Sequence, residues 1–215
     1  MSSTKTVLVT GFEPFGGDQR NPSQELAAKL DGTIIERRRI VGCVLPCVFG
    51  AATTALQRQI RRSRPELVIC LGLAGGRSGI TPERVAINVD DARIADNAGK
   101  RPIDRPVVRG GPAAYFSTLP VKAIVAALNA RAIPAMVSQT AGTFVCNHVF
   151  YALMHQLRGQ RRVRGGFIHV PLLAGQAREG EPHLEFSQIL DGITLAIEVS
   201  LRTRRDLRAE GGQVQ

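Results

Sequence analysis

No tryptophan occurs in the 215 residues, and aromatic side chains make up only 5% of them. The core must therefore be filled by aliphatic residues. The chain has enough of these: 44% of it is hydrophobic, which argues against general disorder. Long apolar runs are missing too, and none approaches the roughly 20 residues that a helix needs to cross a bilayer. Met1 to Lys5 is polar and leads straight into a strand-like run, with neither the apolar stretch nor the small-residue cleavage site of a signal peptide. The expectation is a cytoplasmic protein with no membrane partner. Cysteine is scarce: Cys43, Cys47, Cys70 and Cys146 are the whole set. In a reducing compartment these are expected as free thiols. Cys43 and Cys47, the one close pair, lack two further ligands at suitable spacing and read as strand residues, so no metal is expected. There is no Gly-Lys-Ser/Thr phosphate loop, and neither Gly11 to Gly17 nor Gly72 to Gly76 fits the dinucleotide pattern. No cofactor is expected.

Lysine is nearly absent from the basic side, supplying only four of 28 basic residues at a net charge of +10. The arginines cluster at Arg37 to Arg39, at Arg58, Arg61, Arg62 and Arg64, at Arg158 to Arg164, and at Arg202 to Arg208. Charge alone would suit a nucleic-acid binder. The clusters, however, fall at expected helix ends and turns, with no aromatics between them. A solvated face is the favoured reading, and no nucleic acid is expected as a partner.

What is present is an alternation. Short apolar or β-branched runs at Thr6 to Thr10, Thr33 to Ile35, Cys43 to Val48, Leu67 to Leu71, Val85 to Val89, Ala135 to Ser138 and Gly166 to Val170 read as strands, two of them stopping at Gly11 and Gly72. Helical spacing of apolar residues marks segments after Asn21-Pro22-Ser23 and over Ala51 to Arg62, Val121 to Ala130, Asn147 to Leu157 and Leu184 to Leu201. Asn21 suits a helix cap and Pro22 the first helical position. Asp90 to Pro112 is a long polar loop, and such loops in a compact domain are usually functional or mobile. The tail from Arg208 to Gln215 is expected to fray. The pattern predicts an α/β fold: a three-layer α/β/α sandwich around a mostly parallel, twisted central sheet, with residues 1–215 forming a single catalytic domain.

In open α/β sheets ligands bind beyond the carboxyl ends of the strands. Gly11 to Gly17, Gly72 to Arg84 and Thr140 to Cys146 follow strands, and His169 lies near the end of its own. Cys146 falls at or near a helix N-terminus, where backbone N–H groups and the dipole stabilise a thiolate, lower its pKa and can hold an oxyanion. The other cysteines read as small core hydrophobes. Among the histidines, His148 faces away two residues along the same helix, His155 lies further along it, and His183 sits in a surface loop. His169 remains as the base, although a lone strand histidine is commonly a hydrogen-bonded core residue. Glu83, Asp90, Asp91 and Asp96 all qualify as the group that orients the imidazole. Phe12, Phe15 and Phe144 in the edge loops suggest an apolar pocket for a flat, uncharged group. A nucleoside or phosphate-ester enzyme on the same fold is the competing reading, and its activity would survive thiol blocking.

Six blocks in order carry a resemblance: Gly-Phe-Glu-Pro-Phe-Gly-Gly at 11–17, Asn-Pro-Ser at 21–23, Ile-Thr-Pro-Glu-Arg-Val-Ala-Ile-Asn at 80–88, Asp-Asp-Ala-Arg-Ile at 90–94, Ser-Gln-Thr-Ala-Gly-Thr-Phe-Val-Cys-Asn-His at 138–148 and Gly-Gly-Phe-Ile-His-Val-Pro at 165–171. From Val7 to about Pro171 the chain closely resembles the pyroglutamyl-peptidase I family. The resemblance implies a cysteine peptidase that acts on peptides with N-terminal pyroglutamate. It implies a Glu83, Cys146, His169 triad and a pocket lined by Phe12, Phe15, Ile94, Phe144 and Val145. It also implies that Arg93 and the Cys146 N–H stand near the oxyanion, and that the enzyme is a metal-free, cytosolic homo-oligomer, a dimer or tetramer. The chain departs from the family at Leu73, where many members have Gln, at Ala95, where Pro is common, and at Leu172 to Gln176, in place of a more usual aromatic-Leu-Pro-Glu-Gln.

Overall fold

The computed structural model describes residues 5–160 and 162–212. Residues 1–4, Arg161 and the end of the expected frayed tail, 213–215, lie outside the described residues. In chain order the elements are β1 (Thr6–Phe12), α1 (Pro22–Leu30), β2 (Ile34–Ile35), β3 (Arg38–Leu45), α2 (Ala51–Ser63), β4 (Leu67–Leu73), β5 (Thr81–Pro82), β6 (Val85–Ile87), β7 (Ala114–Phe116), α3 (Val121–Asn129), α4 (Val145–Leu157), β8 (Arg164–Val170), β9 (Leu172–Leu173), β10 (His183–Leu184) and α5 (Phe186–Arg202). A six-stranded sheet runs β2-β3-β1-β4-β8-β5. Its centre is parallel, and β2 and β5 are antiparallel edges.

Strand side chains alternate between faces, and the two cores follow that alternation. Val7, Val9, Ile69, Leu71, Ile168 and Val170 pack against α1, α3 and α5 on one side. Leu8, Val68, Cys70 and Phe167 pack against α2 and α4 on the other. The expected three-layer α/β/α arrangement is what forms. Each helix has a local cause. Asn21 Oδ1 accepts the Ser23 N–H at 3.0 Å to cap α1, with Pro22 at its start. Ala52, Leu56 and Ile60 give α2 its buried stripe, and Arg64 closes it in the left-handed region at φ 45° with its N–H on the Ile60 carbonyl. Ile189, Ile193 and Ile197 do the same for α5.

Several segments differ from the sequence reading. β1 runs through Gly11 to Phe12. A Cβ on Gly11 would lie 1.9 Å from the Ser23 carbonyl oxygen, so this glycine lets α1 approach the sheet and does not end the strand. Val85–Ile87 pairs with β7 in a separate two-stranded ribbon. Residues 135–138 make isolated parallel bridges at Ile80–Ala135 and Glu83–Ser138 in place of a full strand. Pro82 has no N–H to extend that ladder. Segment 90–112 is irregular but tied down: Asp90 and Arg105 exchange backbone bonds, Ala92 N–H reaches Pro102, and Asn88 Nδ2 holds the Val108 carbonyl. The tail is also held as far as it is described, with Arg84 and Gln139 donating to the Gly211 carbonyl.

Candidate active site

Four pieces of chain meet at the carboxyl edge of the sheet. His169 sits near the end of β8, opposite Gly72 of β4 in parallel register and opposite Thr81 of β5 across the antiparallel pair. Glu83 follows β5 directly, and its own N–H bonds to the Phe167 carbonyl at 2.9 Å. This backbone bond fixes the carboxylate beside the imidazole, with His169 Nδ1 and Glu83 Oε1 2.7 Å apart. Both side chains are buried, Glu83 completely. Nδ1–H donates to the carboxylate, which leaves Nε2 with a free lone pair.

Cys146 is the second residue of α4, after Phe144 in extended backbone as the cap. No side chain caps this helix. Among the described residues, the N–H groups of Val145, Cys146 and Asn147 reach no acceptor, as expected for a first helical turn. The sulfur lies over Gly72: a Cβ there would meet Sγ at 2.9 Å and the Phe167 ring at 2.8 Å. Neighbouring strands are about 4.8 Å apart, so the strand below the sulfur is the one paired with His169. Both residues line one cavity of about 490 Å³. Gly72→Ala is expected to displace the thiol and lower turnover by about 10²-fold. The check is kcat measured beside a thermal melt, to separate misplacement from loss of folding.

The lowering of the Cys146 pKa expected at a helix N-terminus is opposed by burial. Burial pushes the thiol up, and Glu83 adds to that while Arg77 opposes it. Burial also pushes Cys47 and Cys70 up to about 12, in keeping with core residues. For His169, burial holds the imidazole below its ordinary range, against the hydrogen bond and charge of Glu83. Both shifts favour the uncharged forms, thiol and imidazole.

The remaining expected site residues divide. Phe15, Arg93, Ile94 and Phe144 line the cavity, and so does Leu73. Phe15 and Phe144 pack with ring centroids 5.9 Å apart. Phe12 and Val145 are fully buried and do not line it: Phe12 packs on Phe167 and Val145 sits in the core beneath. Of the four acidic candidates only Glu83 meets His169. Asp90 Oδ2 bonds His148 Nδ1 at 2.8 Å, and the Gly50 N–H donates to His148 Nε2 at 3.1 Å, so that histidine is held as a structural link. The Asp91 N–H donates to the Thr143 carbonyl, and Thr143 Oγ1 donates to the Asp91 carbonyl. Asp96 accepts the N–H groups of Phe49, Ala98 and Lys100.

Three contributors were not singled out from sequence. Phe49 stands edge-on to Phe144 at 5.4 Å. Asn147 ties α4 to Ile87 and Val89 through its side chain. Arg77 reaches Glu83 Oε1 at 2.7 Å.

A larger cavity, about 880 Å³, opens at the opposite end of the sheet. Lys5, Arg38, Arg62, Arg64, Arg162, Arg164 and Arg204 surround Glu66 there, with no thiol or imidazole. The C-termini of α2 and α5 point to this end and attract cations, and Arg38 and Lys5 pair with Glu66 at 2.6 and 3.1 Å. The cations lining this cavity therefore match the helix dipoles and the Glu66 carboxylate. Among the described residues no group of His, Cys, Asp and Glu is arranged to hold a metal, and no helix is long and apolar enough to cross a membrane.

A parallel α/β sheet with a thiol, an imidazole and a carboxylate gathered at its carboxyl edge defines the class: an α/β enzyme of the cysteine-peptidase kind. A family model described as Pyroglutamyl peptidase matches residues 5–203, and the chain belongs to that family. The pyrrolidone-carboxylate peptidase of Klebsiella pneumoniae (strain 342) is 56% identical over 208 residues, covering 96% of this chain and 97% of that one. The pyrrolidone-carboxylate peptidase of Bacillus cereus (strain Q1) is 54% identical, covering 97% and 98%. The crystal structure of pyroglutamyl peptidase I from Bacillus amyloliquefaciens superposes with a TM-score of 0.93 at 43% identity, covering 96% of this chain and 99% of that one.

Proposed function

We propose that residues 1–215 act as a single catalytic domain that hydrolyses the amide bond after an N-terminal L-pyroglutamyl residue, through Cys146, His169 and Glu83 and an acyl-enzyme intermediate. The observation that carries this reading is the 2.7 Å bond between His169 and the buried Glu83, with Cys146 on the same cavity wall. Pyroglutamate is an uncharged lactam with no free amine. The cavity suits it, since Phe15, Leu73, Ile94 and Phe144 offer apolar surface. In the reaction the Cys146 proton passes to His169 Nε2 as Sγ attacks the pyroglutamyl carbonyl carbon. The oxyanion is met by the free N–H of Cys146, with Arg93 on the cavity rim. Glu83 stabilises the imidazolium. His169 then gives the proton to the leaving amine as the C–N bond breaks, leaving a thioester. Water, deprotonated by His169, attacks the thioester and releases pyroglutamate and the free thiol. Phe12 and Val145 act as the floor beneath the pocket lining. Family membership supports the further reading of a cytoplasmic homo-oligomer, dimer or tetramer, which light scattering of the purified chain would test.

The deciding assay is release of a reporter amine from its pyroglutamyl amide, against the uncyclised glutaminyl amide. The expected result is turnover of the lactam alone, stopped by iodoacetamide. Turnover that survives alkylation of Cys146 would defeat the reading.

A further inference from the structure

Arg77 lies in the stretch between β4 and β5, and its guanidinium meets separate pieces of chain. Nη1 donates to Glu83 Oε1 at 2.7 Å and to Thr81 Oγ1 at 2.5 Å, and Nη2 donates to the Thr140 carbonyl at 2.9 Å. Glu83 belongs to the His169 arm of the site. Thr140 opens the turn that ends in Phe144, the cap of the helix bearing Cys146. We propose that Arg77 is a positioning residue for the reaction: one rigid fork sets the carboxylate that aims the imidazole and the turn that delivers the nucleophile. This rests on the triad proposed above.

The chemistry favours arginine here. Its planar fork places donors at fixed angles, which a lysine ammonium cannot do. A completely buried carboxylate also needs a countercharge. Glu83 receives bonds from only Arg77 and His169, both on Oε1, while Oε2 accepts none among the described residues. With Arg77 present the carboxylate is already matched, and the guanidinium charge works against protonation of His169, which favours a base able to take the thiol proton. Without Arg77 an imidazolium would complete the pair, and the base would be occupied before substrate arrives. The groups facing His169 are Glu83 at Nδ1, Arg77 behind it and Cys146 from α4, with Asp91 and Arg93 also lining the cavity.

The test compares wild type, Arg77→Met and Arg77→Lys for kcat, KM and the pH profile of kcat/KM on the pyroglutamyl reporter amide. For Arg77→Met the expected result is kcat lower by about 10²-fold, KM little changed, and an acid limb moved up by about one pH unit. Arg77→Lys keeps the charge and loses the fork, so kcat should fall by about tenfold while the limb stays in place. An unmoved limb in Arg77→Met, or full kcat in Arg77→Lys, would overturn the proposal. Should Arg77→Met fail to fold, Arg77→Lys decides alone by its kcat. Cys146→Ala is the control. Activity remaining there would sink the triad itself, whereas a Cys146-dependent enzyme indifferent to Arg77 would sink only this role.

Discussion

Cys146→Ala is expected to leave no measurable release of a pyroglutamyl reporter, a fall on the order of 10⁴-fold or more, because the nucleophile and its covalent intermediate are both removed. Cys146→Ser keeps the shape and should retain only a trace, since an alcohol in that position has no comparably acidic proton to give to His169. Both variants should melt close to wild type, because the residue keeps partial solvent exposure and both replacements are no larger than cysteine. A variant with wild-type turnover would remove Cys146 from the mechanism.

The same site makes a statement about pH. Burial raises the thiol and lowers the imidazole, so both shifts favour the uncharged forms. His169 accepts a proton only when neutral, and its pKa lies below the ordinary 6.5. The acid limb of kcat/KM should therefore fall below that value. In the absence of substrate, iodoacetamide should alkylate Cys146 slowly near pH 7 and faster as pH rises past the ordinary thiol range. A preformed thiolate–imidazolium pair would give fast alkylation at neutral pH instead. In the proposed mechanism the helix N-terminus needs no resting thiolate, because its free N–H groups would act on the oxyanion that develops during attack.

What the sequence disclosed and what it hid follow from kinds of interaction. Buried strands and amphipathic helices announce themselves through local apolar spacing, and the layers followed from their alternation. Gly11 and Gly72 misled in the same way. Local pattern reads each as a strand end, yet each lies inside a strand and is a place where another group comes too close for a Cβ: the Ser23 carbonyl at one, the Cys146 sulfur at the other. Close approach across a fold leaves the same mark in sequence as a turn. A strand ending at Gly11 puts Phe12 in a loop and toward the pocket, whereas it finishes β1 and packs on Phe167. Cys146 and His169 stand out in the sequence because few thiols and imidazoles compete with them. Glu83 could not be separated from Asp90, Asp91 and Asp96 by local pattern, since the choice depends on which backbone β8 pairs with. Arg77 was concealed by abundance: in a chain so rich in arginine, one working guanidinium has no local signature.

Glu83→Gln is expected to reduce kcat by on the order of 10³-fold with the fold preserved, because the amide keeps the volume and one acceptor for His169 Nδ1 but removes the charge that stabilises the imidazolium. Its effect on pH runs opposite to that of Arg77→Met. The hydrogen bond and charge of Glu83 are what hold the imidazole up against burial. Neutralising Glu83 therefore lowers the His169 pKa further, and the acid limb of kcat/KM should move down. Glu83→Ala is a harsher change: it leaves Arg77 and His169 without their shared partner in a buried setting, and should destabilise by about 3–5 kcal/mol as well as inactivate. Measured together, Glu83→Gln and Arg77→Met form one test of the charge order Arg77, Glu83, His169. If both limbs shift in the same direction, or if Glu83→Gln keeps wild-type kcat, the carboxylate is a structural ion-pair partner and His169 is aimed by the sheet alone.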